Sequence, residues 1–415
     1  MEKTLCYQIN KERLLDTIKA SSSIGTSRNG GLNRLALSEE DKKMRELFID
    51  WLTKEGLKIR IDDFGNIYGR REGKRRNGPV VAFGSHLDTQ PNGGRFDGVL
   101  GVLIGLEVIR VLNENDIETE YPIEIINFTN EEGARFSPPM LGSGGVAEAF
   151  SKEFIYHSTD TAGITYEQAL EQIGYKGKKE NRLREAKNFI ELHIEQGPIL
   201  DKKDKEIGVV MGIQGMSWLT VKVIGETNHA GPTPMEDRKD ALIPAAKMIS
   251  KVNGLADEVT GLKTTIGRMD VKPNIPNVIP GEVEFSIDIR HENDDIRYNS
   301  IETLKERLST IAFMNNVDIT ITEDWNSDAV HFSNTVIQTI EKEVEKMGYS
   351  SIKLFSGPGH DAKYMSSLAD TGMIFIPSKD GISHNECEFS NDADIEKGAN
   401  VLLYTICELA NINKK

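Results

Sequence analysis

Apolar residues recur at helical spacing near the start of the chain and at strand spacing further on. Met44, Leu47, Phe48 and Leu52 mark one face of a helix predicted over 39–55, after a shorter helix over 11–20. From residue 79 the pattern alternates. A short apolar strand at 80–83 precedes a helix over 99–112 that is apolar on nearly every face. Strands follow at 123–128, 189–192 and 207–211. Such alternation predicts an α/β fold with a mostly parallel sheet and helices on both faces.

The pattern changes near residue 215. Residues 218–224 alternate, and 282–290 do so cleanly. There Val283, Phe285, Ile287 and Ile289 share one face, and Glu282, Glu284, Ser286, Asp288 and Arg290 share the other. Helices over 240–258 and 295–312 and a strand over 317–322 complete a β-α-β-β-α-β unit of the split type. After residue 330 strands at 352–355 and 373–376 and a helix over 392–409 restore the α/β character. The expected architecture is one discontinuous domain, 1–215 and 331–415, interrupted by an inserted α+β domain, 216–330.

Composition narrows the function classes. The 415 residues carry 50 Lys+Arg against 65 Asp+Glu, a formal charge of −15. That sign argues against nucleic acid or an anionic membrane as the main partner. No apolar run reaches the roughly 20 residues of a membrane span. The opening residues lack the apolar stretch of a secretory signal. Cys6, Cys387 and Cys407 are too far apart for a disulfide framework or a thiolate zinc site, so a reducing, cytoplasmic setting is expected.

The histidines draw attention through their neighbours. His86 lies in Gly-Ser-His-Leu-Asp-Thr, with Asp88 two residues on, where a carboxylate could orient the imidazole. Asp97 precedes the buried helix. Glu131 and Glu132 follow a strand as a pair in which one could ligate a cation and the other act as a base. His193 opens His-Ile-Glu-Gln-Gly-Pro, and His384 lies in Ile-Ser-His-Asn-Glu. Each alone has an ordinary structural explanation, such as a helix cap for Asp97 or a core histidine for His193. Together, His86, Asp97, Glu132, His193 and His384 fall after predicted strands, on the edge where open α/β sheets place ligands. Imidazole and carboxylate without thiolate suit a pair of zinc, manganese, cobalt or nickel ions with one bridging carboxylate.

These segments resemble the M20-type metallopeptidase/amidohydrolase superfamily. More narrowly they resemble its hydantoinase/carbamoylase branch of N-carbamoyl-L-amino-acid hydrolases, β-ureidopropionases and allantoate amidohydrolases. The likeness runs through GSHLDTQPNGGRFDG, TNEEGARF, HIEQGP, GIQGMSW, NHAGPTPMEDRKDAL, PNVIPGEVEFSIDIRH, SGPGHDA and ISHNE. It implies two divalent metal ions, zinc first among them, held by His86, Asp97, Glu132, His193 and His384, with Asp97 bridging. It implies that Asp88 orients His86 and that Glu131 is the general base toward a metal-bridging hydroxide. His229, Asn277 and Arg290 match substrate-binding positions, as do Gln196, Gly359 and His360, and His229 would also stabilise the oxyanion. The inserted domain would serve as lid and homodimer interface.

The implied activity is cleavage of the carbamoyl C–N bond of an N-carbamoyl α- or β-amino acid, a small carboxylate-bearing ureido substrate. Allantoate hydrolysis is the nearest alternative. Aminoacylase or peptidase activity comes next, and a non-catalytic metal-binding role is disfavoured because every metal and base position is filled. Pro358 and Pro232 depart from the family pattern, which has Ala and Thr there; both stiffen loops that bear on substrate preference. His157, His291 and His331 match nothing and are assigned to surface or core.

Overall fold

The computed structural model describes residues 7–184 and 186–412, so Cys6 lies outside the described residues. The chain divides into two compact units, Met1–Gly212 with His331–Lys415, and Ile213–Val330.

The first unit is built on a mixed sheet. From one edge its strands run Lys58–Ile61, Ile67–Arg71, Ile123–Phe128, Val80–His86, Ala186–Ile194, Asp370–Ile376 and Ile207–Ile213, with Ser351–Ser356 pairing the last of these. Parallel pairing joins the four central strands, from Ile123–Phe128 to Asp370–Ile376. The flanking pairs are antiparallel. The parallel character expected for most of the sheet is thus confined to its centre, where crossover helices connect the strands. At one rim a short turn joins Lys58–Ile61 to Ile67–Arg71 as a hairpin, while the other antiparallel pairs join strands distant in sequence. Every residue of Val80–His86 and Ile123–Phe128 is buried, which requires cover on both faces.

Much of that cover is the helix Val99–Glu114, itself buried over almost its whole surface. It approaches the sheet closely because Gly105 faces the Phe83 ring, where a Cβ would sit 2.9 Å away. Helices Lys11–Ser22 and Asp392–Leu409 pack against it, the second also on strands Ala186–Ile194 and Asp370–Ile376. Helix Glu39–Lys54 starts at Ser38, whose hydroxyl accepts the Asp41 N–H, with Glu39, Glu40 and Asp41 in the first turn.

A buried brace joins this N-terminal region to the strand ends. The Arg34 guanidinium donates to the carbonyls of Leu87 at 2.7 Å and Ser21 at 3.0 Å, and its backbone exchanges bonds with Thr89. Arg45 pairs with Asp41 at 2.8 Å and reaches the Gly65 carbonyl and the Thr129 hydroxyl. Both arginines are fully enclosed. One holds the segment after Val80–His86, and the other the segment after Ile123–Phe128.

The second unit is an antiparallel sheet in the order Met269–Lys272, Glu282–His291, Gly215–Ile224 and Asp318–Ser327, with Lys263–Thr265 also pairing Glu282–His291. Helices Leu242–Glu258 and Asp294–Met314 cover one face. Their Met248, Val252, Leu304 and Leu308 pack on Val221, Val283, Phe285 and Ile287. The strand Glu282–His291 alternates half-buried and buried along its length, as its polar–apolar alternation predicts. Trp218, Asp288 and Arg290 lie on the opposite face of the sheet.

Candidate functional site

Four segments converge at the C-terminal ends of the central strands. His86 is the last residue of its strand, and His193 lies inside Ala186–Ile194. Both strands run further than their apolar cores predict, so these histidines stand on rigid sheet rather than on loops. Asp97 does not cap the buried helix. Gly98 takes that position with φ 63°, and no side chain caps it. The Asp97 carboxylate is thereby left to face the histidines.

Asp97 is the hub. One oxygen lies 3.2 Å from His193 Nε2 and 3.9 Å from His86 Nε2. The other lies 3.3 Å from His384 Nε2, which is also 3.4 Å from Glu132. Ligand atoms of His86, Asp97 and His193 fall within 4.8 Å of one another, as do those of Asp97, Glu132 and His384. Glu131 lies 3.3 Å from His86 Nε2. His86, Asp97, Glu131, Glu132, His193 and His384 are therefore brought together.

The residues fit a divalent cation. His86 Nε2 is buried and has no hydrogen-bond partner. Gly98 keeps the space before it open, because a Cβ there would overlap the imidazole. Imidazole and carboxylate donors without thiolate suit borderline and hard divalent ions.

Electrostatics point the same way. Burial pushes the His86 imidazole down to about 4, so it is neutral and able to ligate. Burial and the neighbouring carboxylates hold Glu131 and Glu132 well above the usual range. Asp97 is buried too, yet its bonds to His193 and His384 hold it well below the usual range. A cation would relieve the mutual repulsion of three enclosed carboxyl groups.

Asp88 acts differently from expectation. Its backbone carbonyl, not its carboxylate, bonds His86 Nδ1 at 2.9 Å. The carboxylate lies 3.8 Å from that nitrogen and instead accepts the backbone N–H groups of Glu131 at 3.4 Å and Glu132 at 3.3 Å. With only one residue between them, His86 and Asp88 curl so that the main chain meets the ring first.

Of the expected substrate contacts in this unit, Gln196 donates to Asp97 at 2.7 Å, from a left-handed backbone with φ 55°. Gly359 lies against Met140. His360 is buried, 4.5 Å from the His193 ring between centroids, with Nε2 2.9 Å from the Ser356 hydroxyl.

The second unit carries the other three. His229 and Asn277 are exposed neighbours on a two-stranded ladder in which His229 pairs with Val278 and the Ala230 N–H donates to the Asn277 carbonyl at 3.0 Å. The Gly231 N–H donates to His229 Nδ1 at 3.0 Å, which leaves the ring proton on Nε2. Arg290 engages Asp288 through Nε at 2.9 Å and Nη2 at 2.7 Å.

Several residues of the centre were not singled out in the sequence, although Gln90 and Ser383 lie inside segments that carry the family likeness. Gln90 donates to Glu132 at 2.9 Å, and Ser383 to Asp97 at 2.8 Å. Glu388 accepts the N–H groups of Phe96 and Asp97. Glu191 accepts from the Ser85 hydroxyl and the Ala362 N–H, and its ligand atoms join those of His193 and His360 in a third cluster. Its period-two offset from His193 was the one readable sign.

Residues 82–408 match the model of peptidase family M20/M25/M40. The chain belongs to that family. Among M20 relatives, an N-carbamoyl-L-amino-acid amidohydrolase of Rhizobium meliloti is 38% identical over 406 residues, covering 98% of each chain. An allantoate amidohydrolase of Bacillus subtilis is 31% identical over 403 residues, covering 96% of this chain and 98% of its own. A crystal structure of an amidase of the hydantoinase/carbamoylase family from Burkholderia multivorans matches with a TM-score of 0.95 at 40% identity, covering 98% of this chain and 99% of that one. This M20 protein therefore sits in the hydantoinase/carbamoylase branch. Among its described residues no helix is long and apolar enough to cross a membrane.

Proposed function

We propose that this protein hydrolyses the carbamoyl C–N bond of N-carbamoyl amino acids, releasing the amino acid, ammonia and carbon dioxide. The coarser statement, a hydrolase of non-peptide C–N bonds, follows from its family and relatives. Asp97 shared between two ligand clusters, with Glu131 beside them, supports a hydrolytic centre, and the N-carbamoyl-L-amino-acid amidohydrolase relative supports the finer statement.

On this reading His86 and His193 would hold one divalent cation and Glu132 and His384 a second, with Asp97 a ligand available to each. Zinc is the first choice, and manganese, cobalt or nickel would also suit the donors. Bound cations polarise a carbonyl and acidify water. Glu131 takes the proton of the attacking water and returns it to the departing nitrogen. Asp88 fixes the backbone of the Glu131-Glu132 pair, which sets where that proton is received. His229 offers its Nε2–H to the oxyanion that develops on the carbonyl. Arg290 and Asn277 bind the substrate carboxylate, a task that suits the planar guanidinium. Gln196, Gly359 and His360 line the site, and Pro232 and Pro358 stiffen loops that tune preference. The inserted unit acts as lid and homodimer interface, and cysteine usage supports a cytoplasmic location.

Allantoate carries the same ureido group and carboxylate, and the Bacillus subtilis relative keeps it in view. The test is a panel of N-carbamoyl-α-amino acids, N-carbamoyl-β-alanine, allantoate and N-acyl amino acids, run after chelation and refilling with each metal. Turnover of the carbamoyl compounds that chelation abolishes and metal restores is expected. Turnover confined to allantoate or to N-acyl substrates would overturn the assignment, as would activity indifferent to chelation. Light scattering tests the dimer.

A further inference from the structure

Within the second unit the segment 226–239 forms a loop closed at its base, where the Glu226 N–H donates to the Lys239 carbonyl at 2.8 Å. The loop carries His229, whose side chain is exposed. An exposed imidazole has little packing to fix it, so its orientation must come from bonds within the loop. Arg238 supplies the grip. Its Nη2 donates to the Ala230 carbonyl at 2.6 Å and to the Thr233 carbonyl at 3.1 Å, and its Nε donates to the same Thr233 carbonyl at 3.2 Å. The Thr233 hydroxyl donates onward to the His229 carbonyl at 2.7 Å. On the other side of Ala230, its N–H donates to the Asn277 carbonyl at 3.0 Å. The turn so formed is tight enough for the Gly231 N–H to reach His229 Nδ1 at 3.0 Å.

We propose that Arg238 is a positioning residue: its guanidinium clamps the turn 229–233, and that turn holds the His229 imidazole in one orientation as the Nε2–H tautomer. This inference rests on the reading of His229 as the donor to the oxyanion and names what holds that donor in place.

A planar fork suits this role. Nε and Nη2 send their N–H bonds in fixed directions, so the Ala230 and Thr233 carbonyls are fixed relative to each other. The Gly231 bond to Nδ1 exists only while the turn keeps its shape. Without it a neutral imidazole is free to take either tautomer, and one of the two has no proton on Nε2. Charge on the carbonyl oxygen develops in the transition state, so a loosened donor costs kcat rather than KM. Asn277 is tied to the Ala230 N–H, a bond that Arg238 does not make, so carboxylate binding should persist.

The experiment compares the metal-loaded wild-type enzyme with Arg238→Met, Thr233→Val, His229→Ala and the double variant of Arg238→Met with His229→Ala. Each is assayed on an N-carbamoyl-L-amino acid and given a melting curve. His229→Ala is expected to lower kcat by about 10²–10³, the usual cost of one oxyanion donor. Arg238→Met should lower it by about 10–10², the scale of a misplaced catalytic group, with KM little changed. Thr233→Val keeps the volume and removes the hydroxyl, and it should lower kcat less, in the same direction. The double variant should match His229→Ala alone, because nothing is then left for Arg238 to position. Additive losses overturn the proposal, as does a wild-type kcat in Arg238→Met. A raised KM with normal kcat there would make Arg238 a substrate anchor and overturn it too. If Arg238→Met does not fold, Thr233→Val decides by the same criteria, alone and combined with His229→Ala. A wild-type kcat in His229→Ala would refute the underlying reading of His229, and the positioning role with it.

Discussion

Gly98 sits directly against His86 Nε2, and any side chain at 98 would occupy the space that nitrogen faces. The glycine also holds φ 63°, which L-residues rarely adopt. Gly98→Ala is therefore expected to fail twice, through backbone strain and through displacement of the imidazole. The two effects together cost on the order of 3 kcal/mol. Calorimetric melting with and without added metal checks this. A variant that melts normally and still gains stability from metal would contradict the close fit.

Glu131→Gln separates base from ligand. The amide keeps the volume and cannot take a proton, so metal content should stay at the wild-type level. Turnover should fall by about 10²–10⁴, the usual contribution of a general base. Metal analysis and steady-state kinetics on the same preparation are needed. Wild-type-like turnover in metal-loaded Glu131→Gln would remove the residue from its proposed role.

Arg34 is enclosed without a carboxylate at its guanidinium, and its bonds go to the Leu87, Ser21 and Ile24 carbonyls and the Ser21 hydroxyl. Lysine keeps the charge and cannot reach them all. Each buried carbonyl left unpaired costs about 1–3 kcal/mol. Arg34→Lys should lower the melting temperature and, because Leu87 adjoins His86, weaken metal binding in a competitive chelator titration. Reduced stability with unaltered metal affinity would make Arg34 a support of the helix end only.

Stability should also carry the signature of Asp62. Burial pushes this carboxyl up to about 6 from 3.8, although Tyr68, Asn66 and Phe64 donate to it. With its pKa raised in the fold, the native state binds the extra proton. The Asp62 contribution is then complete below about 3.8 and is lost as the pH rises through about 6. It amounts to about 3 kcal/mol at most. The stability of wild type relative to Asp62→Asn should thus grow as pH falls from 7 to 4. A pH-independent difference would show that the carboxyl titrates normally.

Most of the scaffold was readable because burial leaves a period. The alternation at 282–290 became the strand Glu282–His291, and the all-apolar run at 99–112 became the enclosed helix Val99–Glu114. The edge strand Lys58–Ile61 and its neighbour Ile67–Arg71 leave no clear period, since one is only partly buried and the other mixes apolar with basic residues. Helix Asn334–Met347 was missed although Val336, Ile337, Ile340 and Val344 form its buried stripe.

The centre shows the same division. His86, Asp97, Glu131, Glu132, His193 and His384 could be named because each falls in a segment that carries the family likeness, most of them close to a strand or helix end. Glu388 and Ser383 could not, since their work lies in bonds to Phe96 and Asp97, nearly three hundred positions away. Nor could the swap at Asp88 between carbonyl and carboxylate, which depends on how two residues of main chain curl.

The order of strands in the first unit has a consequence for biogenesis. Asp370–Ile376 lies between Ala186–Ile194 and Ile207–Ile213, so two strands must wait for one made long after them. The Ile9 N–H is likewise tied to Asn400, and the Tyr404 hydroxyl to the Tyr7 carbonyl. During synthesis the inserted unit has its whole sequence in hand while the sheet of the first unit still has a gap. His384 emerges later still, so the grouping of Asp97, Glu132 and His384 is the last of the centre to be completed.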